Sequence, residues 1–366
     1  MKKLLFISST DIKNGNFGGS VCSKRNFNVM SKFFDMTSLN FSKDKTNDID
    51  NFQTPKNKIE TLISNIFNYA GGLIYQSEIK ILEKIKNEKY DVIFLDTSNY
   101  GRLAEKIKKI DSKIKIITFF HNIEHDFLKS RMNKEGRVYF IQFKASHYNE
   151  KLAVKYSDYL ITLNSRDTKR LYEVYGGKSN LELPITFEDK YSENINNSLK
   201  EKDYILFVGS LFFANYHGIK WFVENVMPYI NKKLLIVGKD FEIKKSELER
   251  KNVEVIGSVD DLTPYYLNAS CMIMPIFEGA GMKVKTAEAL MYGKTIYGTT
   301  EAFEGYEVEY NKVGGLYNTK EEFIEKINND KNIVFNEYSR KVFLEKYSFE
   351  SSVNRMKEFL EKEKLI

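Results

Sequence analysis

Pro275-Ile276-Phe277-Glu278-Gly279-Ala280-Gly281-Met282-Lys283-Val284-Lys285-Thr286-Ala287-Glu288-Ala289-Leu290-Met291-Tyr292-Gly293 is the most informative stretch of this 366-residue chain. An apolar run ending near Pro275 reads as a β-strand. A Gly-containing loop follows, and an amphipathic helix starts near Gly281 with Ala287, Leu290 and Met291 on its core face. Lys283 and Lys285 then fall in the first helical turn. Unpaired N–H groups and the positive end of the helix dipole already make that turn electropositive, so each lysine costs roughly 0.3–1 kcal/mol there unless an anion is bound. Exposed N–H groups, two ammonium groups and glycines at 279 and 281 that permit close approach suit a phosphate or diphosphate. The alternative is a solvated pair of lysines, with Lys285 merely meeting Glu288 at i, i+3 for about 0.2–0.5 kcal/mol. Glu288 cannot bind phosphate, but it can accept two hydrogen bonds from a ribose diol, as an acidic residue does in dinucleotide sites. Together these groups point to a nucleoside diphosphate compound.

Working outward, short β-rich runs alternate with longer amphipathic stretches, the rhythm of βαβ units around a parallel sheet. Strands are expected at Leu4–Ser8, Met36–Phe41, Val92–Leu95, Ile114–Phe120 and Tyr159–Leu163, and Lys58 to Lys89 reads mostly as helix, broken near Gly71-Gly72. The polar stretch from Glu188 to Asp203 reads as a linker, after which strands are expected at Tyr204–Val208, Leu234–Val237, Val253–Ile256, Cys271–Pro275 and Thr295–Tyr297. Helices at Glu322–Asn328 and Ser351–Lys364 close the chain. The fold class is therefore α/β, with two Rossmann-like, doubly wound parallel-sheet domains facing a cleft. They span 1–190 and 201–345, and a helix over 346–366 returns to pack on the first domain. Ligands of such sheets sit beyond the carboxyl ends of the strands.

Composition removes several classes. An apolar fraction of 42% with 14% aromatics supports large cores and excludes a disordered or fibrous chain. The longest apolar runs fall far short of the roughly 20 residues of a membrane span, and the four after Met1-Lys2-Lys3 make too short a core for an export signal. Cys22 and Cys271 form neither a disulfide framework nor a metal knuckle, which fits a cytoplasmic location. Residues 1–200 hold 33 Lys+Arg against 24 Asp+Glu, while residues 201–366 hold 23 against 26. That asymmetry suits peripheral contact with the anionic inner face of a membrane, although a genome biased toward Lys, Asn and Ile yields the same charge. No motif supports nucleic acid.

The run Glu278 to Gly293 resembles the donor-binding signature of retaining GT-B-fold glycosyltransferases, the glycosyl transferases group 1 superfamily (glycosyltransferase family 4-like), in the subgroup reading G-S-G-M-R-x-K-x-x-E-A. Phe207-Val208-Gly209-Ser210-Leu211 with Asn215 and Trp221-Phe222, Ile236-Val237-Gly238-Lys239, Val255-Ile256-Gly257 with Asp260-Asp261-Leu262, and Gly293-Lys294-Thr295 agree in order. Gly18-Gly19-Ser20 and His121-Asn122-Ile123-Glu124 are similar in the first half. The resemblance implies a nucleotide-sugar donor, such as a UDP- or GDP-sugar, on the C-terminal domain. It implies a saccharide, lipid-linked or protein acceptor on the N-terminal one, and metal-independent transfer with retention in polysaccharide or glycoconjugate biosynthesis, with no cofactor. Glu288 would hold ribose hydroxyls, Lys283, Lys285 and the Gly279 and Gly281 backbone the diphosphate, Gly209 and Ser210 would flank it, and His121 would face the donor sugar. Gly18, Gly19, Asp96 and Asn122 would lie on the acceptor side. In the family's two-glutamate pattern the first position is Ala280 here, with Glu278 two residues earlier as the open candidate for its contact. Ser210 and Asn215 stand where much of the superfamily has Arg and Lys, which leaves the cationic role to Lys283 and Lys285.

Other signals carry less. Asp48-Ile49-Asp50 has a D-x-D pattern but lies in a polar run, Lys43 to Gln53, and reads as a solvated loop; Gly15, Gly18 and Gly19 lack dinucleotide spacing. Asp96-Thr97-Ser98 either touches the acceptor or caps the next helix. His125, His147 and His217 form no ligand-spaced cluster and read as solvated or packed. A nucleotide-sugar epimerase on the same fold, or a catalytically silent binding partner, are the alternative functions.

Overall fold

A computed structural model describes residues 1–10, 12, 18–42, 51–191, 204–279, 281–329 and 335–366. The chain forms two compact units, Met1–Ile185 together with Ser352–Ile366, and Thr186–Ser351. In the first, β1 (Lys3–Ser8), β2 (Asp35–Ser42), β3 (Asn51–Gln53), β4 (Val92–Leu95), β5 (Lys115–Phe120), β6 (Tyr159–Thr162) and β7 (Leu181–Glu182) make one sheet in the order β3-β2-β1-β4-β5-β6-β7. In the second, β8 (Tyr204–Val208), β9 (Lys233–Val237), β10 (Val253–Gly257), β11 (Cys271–Met274), β12 (Ile296–Gly298) and β13 (Gly314–Leu316) pair as β10-β9-β8-β11-β12-β13. All of these strand pairings are parallel.

The central strands read as unbroken apolar runs because helices cover both faces of the sheet. Leu4, Leu5, Phe6 and Ile7 of β1 are fully buried, and Phe6 stacks on Phe94 of β4 with ring centroids 5.1 Å apart. In each sheet the winding reverses direction after three strands, between β1 and β4 and between β8 and β11. The reversal leaves a crevice past the carboxyl ends of those strands, which places the loops that follow them at the ligand position.

Several expectations need correcting. The helix after β11 starts at Val284, not near Gly281, because Gly279 (φ +156°) and Gly281 (φ +67°) hold left-handed backbone before it. Lys283 is thus its N-cap, while Ala287, Leu290 and Met291 are buried. The stretch 58–89 is two helices, Lys58–Ile66 and Tyr75–Asn87, parted at Gly71 and Gly72, both at positive φ. Strands β3, β7 and β13 were not anticipated. The last helix, Phe349–Lys362, sets Phe359 edge-on to Tyr159 of β6 at 5.4 Å. Lys294, 1% exposed, donates to the carbonyls of Leu267 and Ala269 at 3.1 and 3.0 Å and so ties the helix Thr263–Asn268 to the start of β12. Gly15, Ala280, the Asp48-Ile49-Asp50 pattern and most of the linker lie outside the described residues.

Candidate functional site

In the C-terminal unit the loops after β8 and β11 meet through Lys285. Its ammonium donates to Asn215 Oδ1 and lies 4.8 Å from the centre of the Phe207 ring, while Asn215 Nδ2 donates to the Ser210 carbonyl at 2.9 Å. Gly209 lets these side chains close in, because a Cβ there would stand 2.9 Å from Asn215 Nδ2 and 3.1 Å from Lys285 Nζ and would push them back. Gly238 (φ +142°) allows the next strand end to close in, since a Cβ on it would meet the Gly209 carbonyl oxygen at 1.9 Å. Asn215 therefore does not leave a gap where the superfamily carries lysine; it anchors a lysine from the opposite loop. Burial, reinforced by the Lys283 ammonium and only partly offset by Glu288, lowers the Lys285 pKa to about 7.

Lys283 is held differently. Its ammonium donates to the Gly281 carbonyl at 2.7 Å and to Glu301 Oε1 at 2.6 Å, and Tyr306 fixes its own carbonyl at 2.6 Å. Sequence reading missed Glu301. A carboxylate three residues past β12 carries no motif, and only the strand order reveals that it reaches the lysine. The same holds for Tyr266, whose hydroxyl donates to Glu288 Oε2 at 2.8 Å and whose ring stacks on Tyr292 at 4.9 Å. Burial raises the Glu288 pKa, with the Tyr266 hydrogen bond and the Lys190 and Lys285 charges opposing it. Lys285 and Glu288 are not hydrogen-bonded to each other; they lie along one helix, each with its own partner. Glu278 stands apart, facing His217 Nδ1 at 3.3 Å and lining, with Trp221, Phe277 and Asn318, a cavity of about 250 Å³.

In the N-terminal unit the corresponding strand ends converge on Asp96. This carboxylate is fully buried and accepts from Ser8 Oγ at 3.1 Å and Asn26 Nδ2 at 2.8 Å, with His121 Nε2 3.4 Å from its Oδ1. Of the two readings of Asp96-Thr97-Ser98, the cap belongs to Thr97, whose Oγ1 accepts from the Asn99 amide. Asp96 itself turns inward onto His121 and cannot contact an acceptor directly. Burial disfavours a charged imidazole at His121, but the adjacent Asp96 carboxylate, with Cys22, outweighs it and holds the pKa well above the ordinary histidine range. Asn122 follows with a buried Oδ1 that has no hydrogen-bond partner. Gly18 and Gly19 open the helix Gly18–Met30 behind β1.

Glu124, quoted in the motif without a role, is pushed up to about 7 by burial and by the charge of Glu150. Glu150 stitches this loop together, accepting from the amides of Glu124 (2.8 Å) and His125 (3.0 Å), from Ser98 Oγ (3.1 Å) and from Tyr175 OH (2.6 Å). His125 and His147 pack with ring centroids 5.3 Å apart, and His147 bonds Tyr175 OH. Among the described residues no group of three His, Cys, Asp or Glu side chains is placed to hold a metal ion, and no helix is long and apolar enough to cross a membrane.

Comparison with known proteins gives these sites a context. Residues 202–329 match the family model Glycosyl transferases group 1. An uncharacterized 44.6 kDa protein in the cps region of Klebsiella pneumoniae is 28% identical over 246 residues, and the match spans 61% of the length of that relative and 61% of this chain. Among solved structures, a sucrose-phosphate synthase from Thermosynechococcus elongatus superposes with a TM-score of 0.70 at 14% identity, covering 99% of both chains. Anabaena HepE in complex with UDP gives 0.67 at 14% identity, covering 98% of this chain and 100% of that one. The lipopolysaccharide outer core galactosyltransferase WaaB gives 0.63 at 14% identity and 99% of both chains. The chain thus has the GT-B fold of these solved structures, and its residues 202–329 are similar to the Glycosyl transferases group 1 family.

Proposed function

We propose that the protein transfers a glycosyl group from a nucleotide sugar, such as a UDP- or GDP-sugar, bound by its C-terminal unit, to a hydroxyl of a saccharide, lipid-linked or protein acceptor bound by its N-terminal unit. The observation that carries this reading is the buried lysine held between the β8 and β11 loops by Asn215, at the carboxyl ends of the central strands. The UDP and UDP-glucose complexes of HepE and the cps-region relative support a nucleotide-sugar donor and a role in polysaccharide biosynthesis. The acceptor oxygen bonds to the anomeric carbon as the bond to the diphosphate oxygen breaks, its electron pair leaving with the diphosphate. In retaining, metal-independent transfer the acceptor proton passes to that leaving oxygen.

Charge on the departing diphosphate is met by Lys285, by Lys283 once it exchanges Glu301 for phosphate, and by the first amides of the helix Val284–Met291. One ammonium about 4 Å from a phosphate oxygen contributes on the order of 4 kcal/mol at an effective dielectric near 20. Glu288 receives the ribose hydroxyls beside the Tyr266–Tyr292 stack, and protonated His121, oriented by Asp96, donates toward the donor sugar. A thermal-shift panel of UDP, GDP and CDP tests the reading, since a ligand that binds only the native form raises its melting temperature. One nucleotide should shift it clearly, and Lys283→Ala with Lys285→Ala should lower turnover by more than about tenfold. No shift with any nucleotide would end the proposal.

A further inference from the structure

Asp96 and His121 stand on different loops, and the pairing that aligns β4 with β5 ends at Leu95 and Thr118. Beyond that point their spacing depends on what holds the loops. Each loop runs into a helix, Gly101–Ile110 after β4 and Glu124–Glu135 after β5, and the first amides of a helix have no partner within it. Tyr100 and Ile123, at the two N-caps, supply no side-chain bond. The partners come instead from adjacent residues of a third helix, Phe140–Tyr156. Asn149 Oδ1 accepts from the Arg102 amide at 3.0 Å, and Glu150 accepts from the amides of Glu124 and His125 at 2.8 and 3.0 Å. Such close passage needs glycine at 101, where a Cβ would meet the Asn149 carbonyl oxygen at 1.8 Å.

Capping alone does not explain a carboxylate at 150. Glu150 is fully buried, and burial raises its pKa against the pull of its donors, Tyr175 first. A serine or asparagine at an N-cap satisfies helix amides without burying a charge. What a local cap could not do is join neighbouring strand ends. Glu150 Oε1 takes both the Glu124 amide and Ser98 Oγ, the latter at 3.1 Å and two residues past Asp96. Its Oε2 takes both the His125 amide and the hydroxyl of Tyr175, at 2.6 Å, the last residue of the helix Ser165–Tyr175 after β6. One carboxylate thus ties together the chain after β4, β5 and β6, through charge-assisted bonds that are stronger than neutral ones. The pair it flanks has little slack, since His121 Nε2 lies 3.1 Å from the Asp96 carbonyl oxygen and 3.4 Å from its Oδ1.

We infer that Glu150 is a positioning residue of the proposed transfer: through Ser98 and the first turn of Glu124–Glu135 it sets the spacing of Asp96 and His121, and it touches neither substrate. The inference rests on the transferase reading for the task it gives His121.

Histidine NMR of the full chain, assigned with His121→Gln, tests it in the absence of any substrate. Asp96, with Cys22, holds the His121 pKa up against burial, so that pKa reports how closely the ring is held. It should fall in Glu150→Gln. It should fall also in Ser98→Ala, which removes no charge and leaves the helix amides capped. Tyr175→Phe loses only the outer tie, and should lower the melting temperature while leaving the His121 pKa in place. Hydrogen exchange of the Glu124 and His125 amides should quicken by about tenfold or more in Glu150→Gln and stay unchanged in Ser98→Ala. A His121 pKa that holds in Glu150→Gln, one that moves there but not in Ser98→Ala, or one that moves equally in Tyr175→Phe would each overturn the inference. Should Glu150→Gln fail to fold, the comparison of Ser98→Ala with Tyr175→Phe still decides. A UDP thermal shift on the same samples keeps the two readings separable. The expected His121 pattern without a UDP shift ends only the transferase reading, and a UDP shift without that pattern ends only this inference.

Discussion

Lys285 is the residue on which the proposed donor site turns, and its lowered pKa makes that role testable by pH. Free, with a pKa of about 7, it is largely neutral at pH 8. A bound diphosphate restores the charge, so nucleotide binding takes up a proton, and affinity falls as pH rises above 7. Calorimetry of UDP binding at pH 8 in buffers of different ionisation heat should show that uptake; equal heats would exclude it. His121 has the opposite sign. Its raised pKa adds stability that is complete below the unfolded value of about 6.5 and is lost as pH rises through the folded value. Asp96→Asn removes the carboxylate that offsets burial and leaves Cys22 to oppose it, so the His121 pKa should fall and turnover at neutral pH should fall with it, histidine proton NMR reading the pKa directly. The placement of the two lysines and Glu288 on and just before one helix was legible in the sequence because spacing and residue type travel together along it. Glu301, Tyr266 and the inward turn of Asp96 were not, since each depends on which strand ends the topology makes neighbours.

At the scale of elements, buried strands announce themselves as apolar runs, so β1, β4, β8 and β11, which frame both crevices, fall within a residue or so of their expected positions. The strands that escaped notice, β3, β7 and β13, have two or three residues each and lie at sheet edges, too short for a period of two to register. The helix after β11 began late because two glycines in left-handed backbone extend the loop, which moves Lys283 to the cap and lets its ammonium fold back onto Gly281 and Glu301. Glu301→Gln should therefore free Lys283 and tighten UDP binding severalfold at low salt, by about 1 kcal/mol or less, measured by calorimetry. Gly238→Ala forces a methyl group against the Gly209 carbonyl and should cost roughly 2–4 kcal/mol in urea unfolding while weakening UDP binding.

On the scale of the whole molecule, two sheets of like winding repeat one arrangement with different chemistry at the crevice. The C-terminal unit offers ammonium groups, helix amides and the Glu288 carboxylate; the N-terminal unit offers a buried Asp–His pair. Hydrogen exchange read by mass spectrometry, with and without UDP, tests the donor assignment most directly. Amides of residues 209–211 and 281–286 should slow on UDP binding, and the slowing should disappear in Lys285→Met. UDP that binds with protection elsewhere, or with those two loops unchanged, would contradict the assignment.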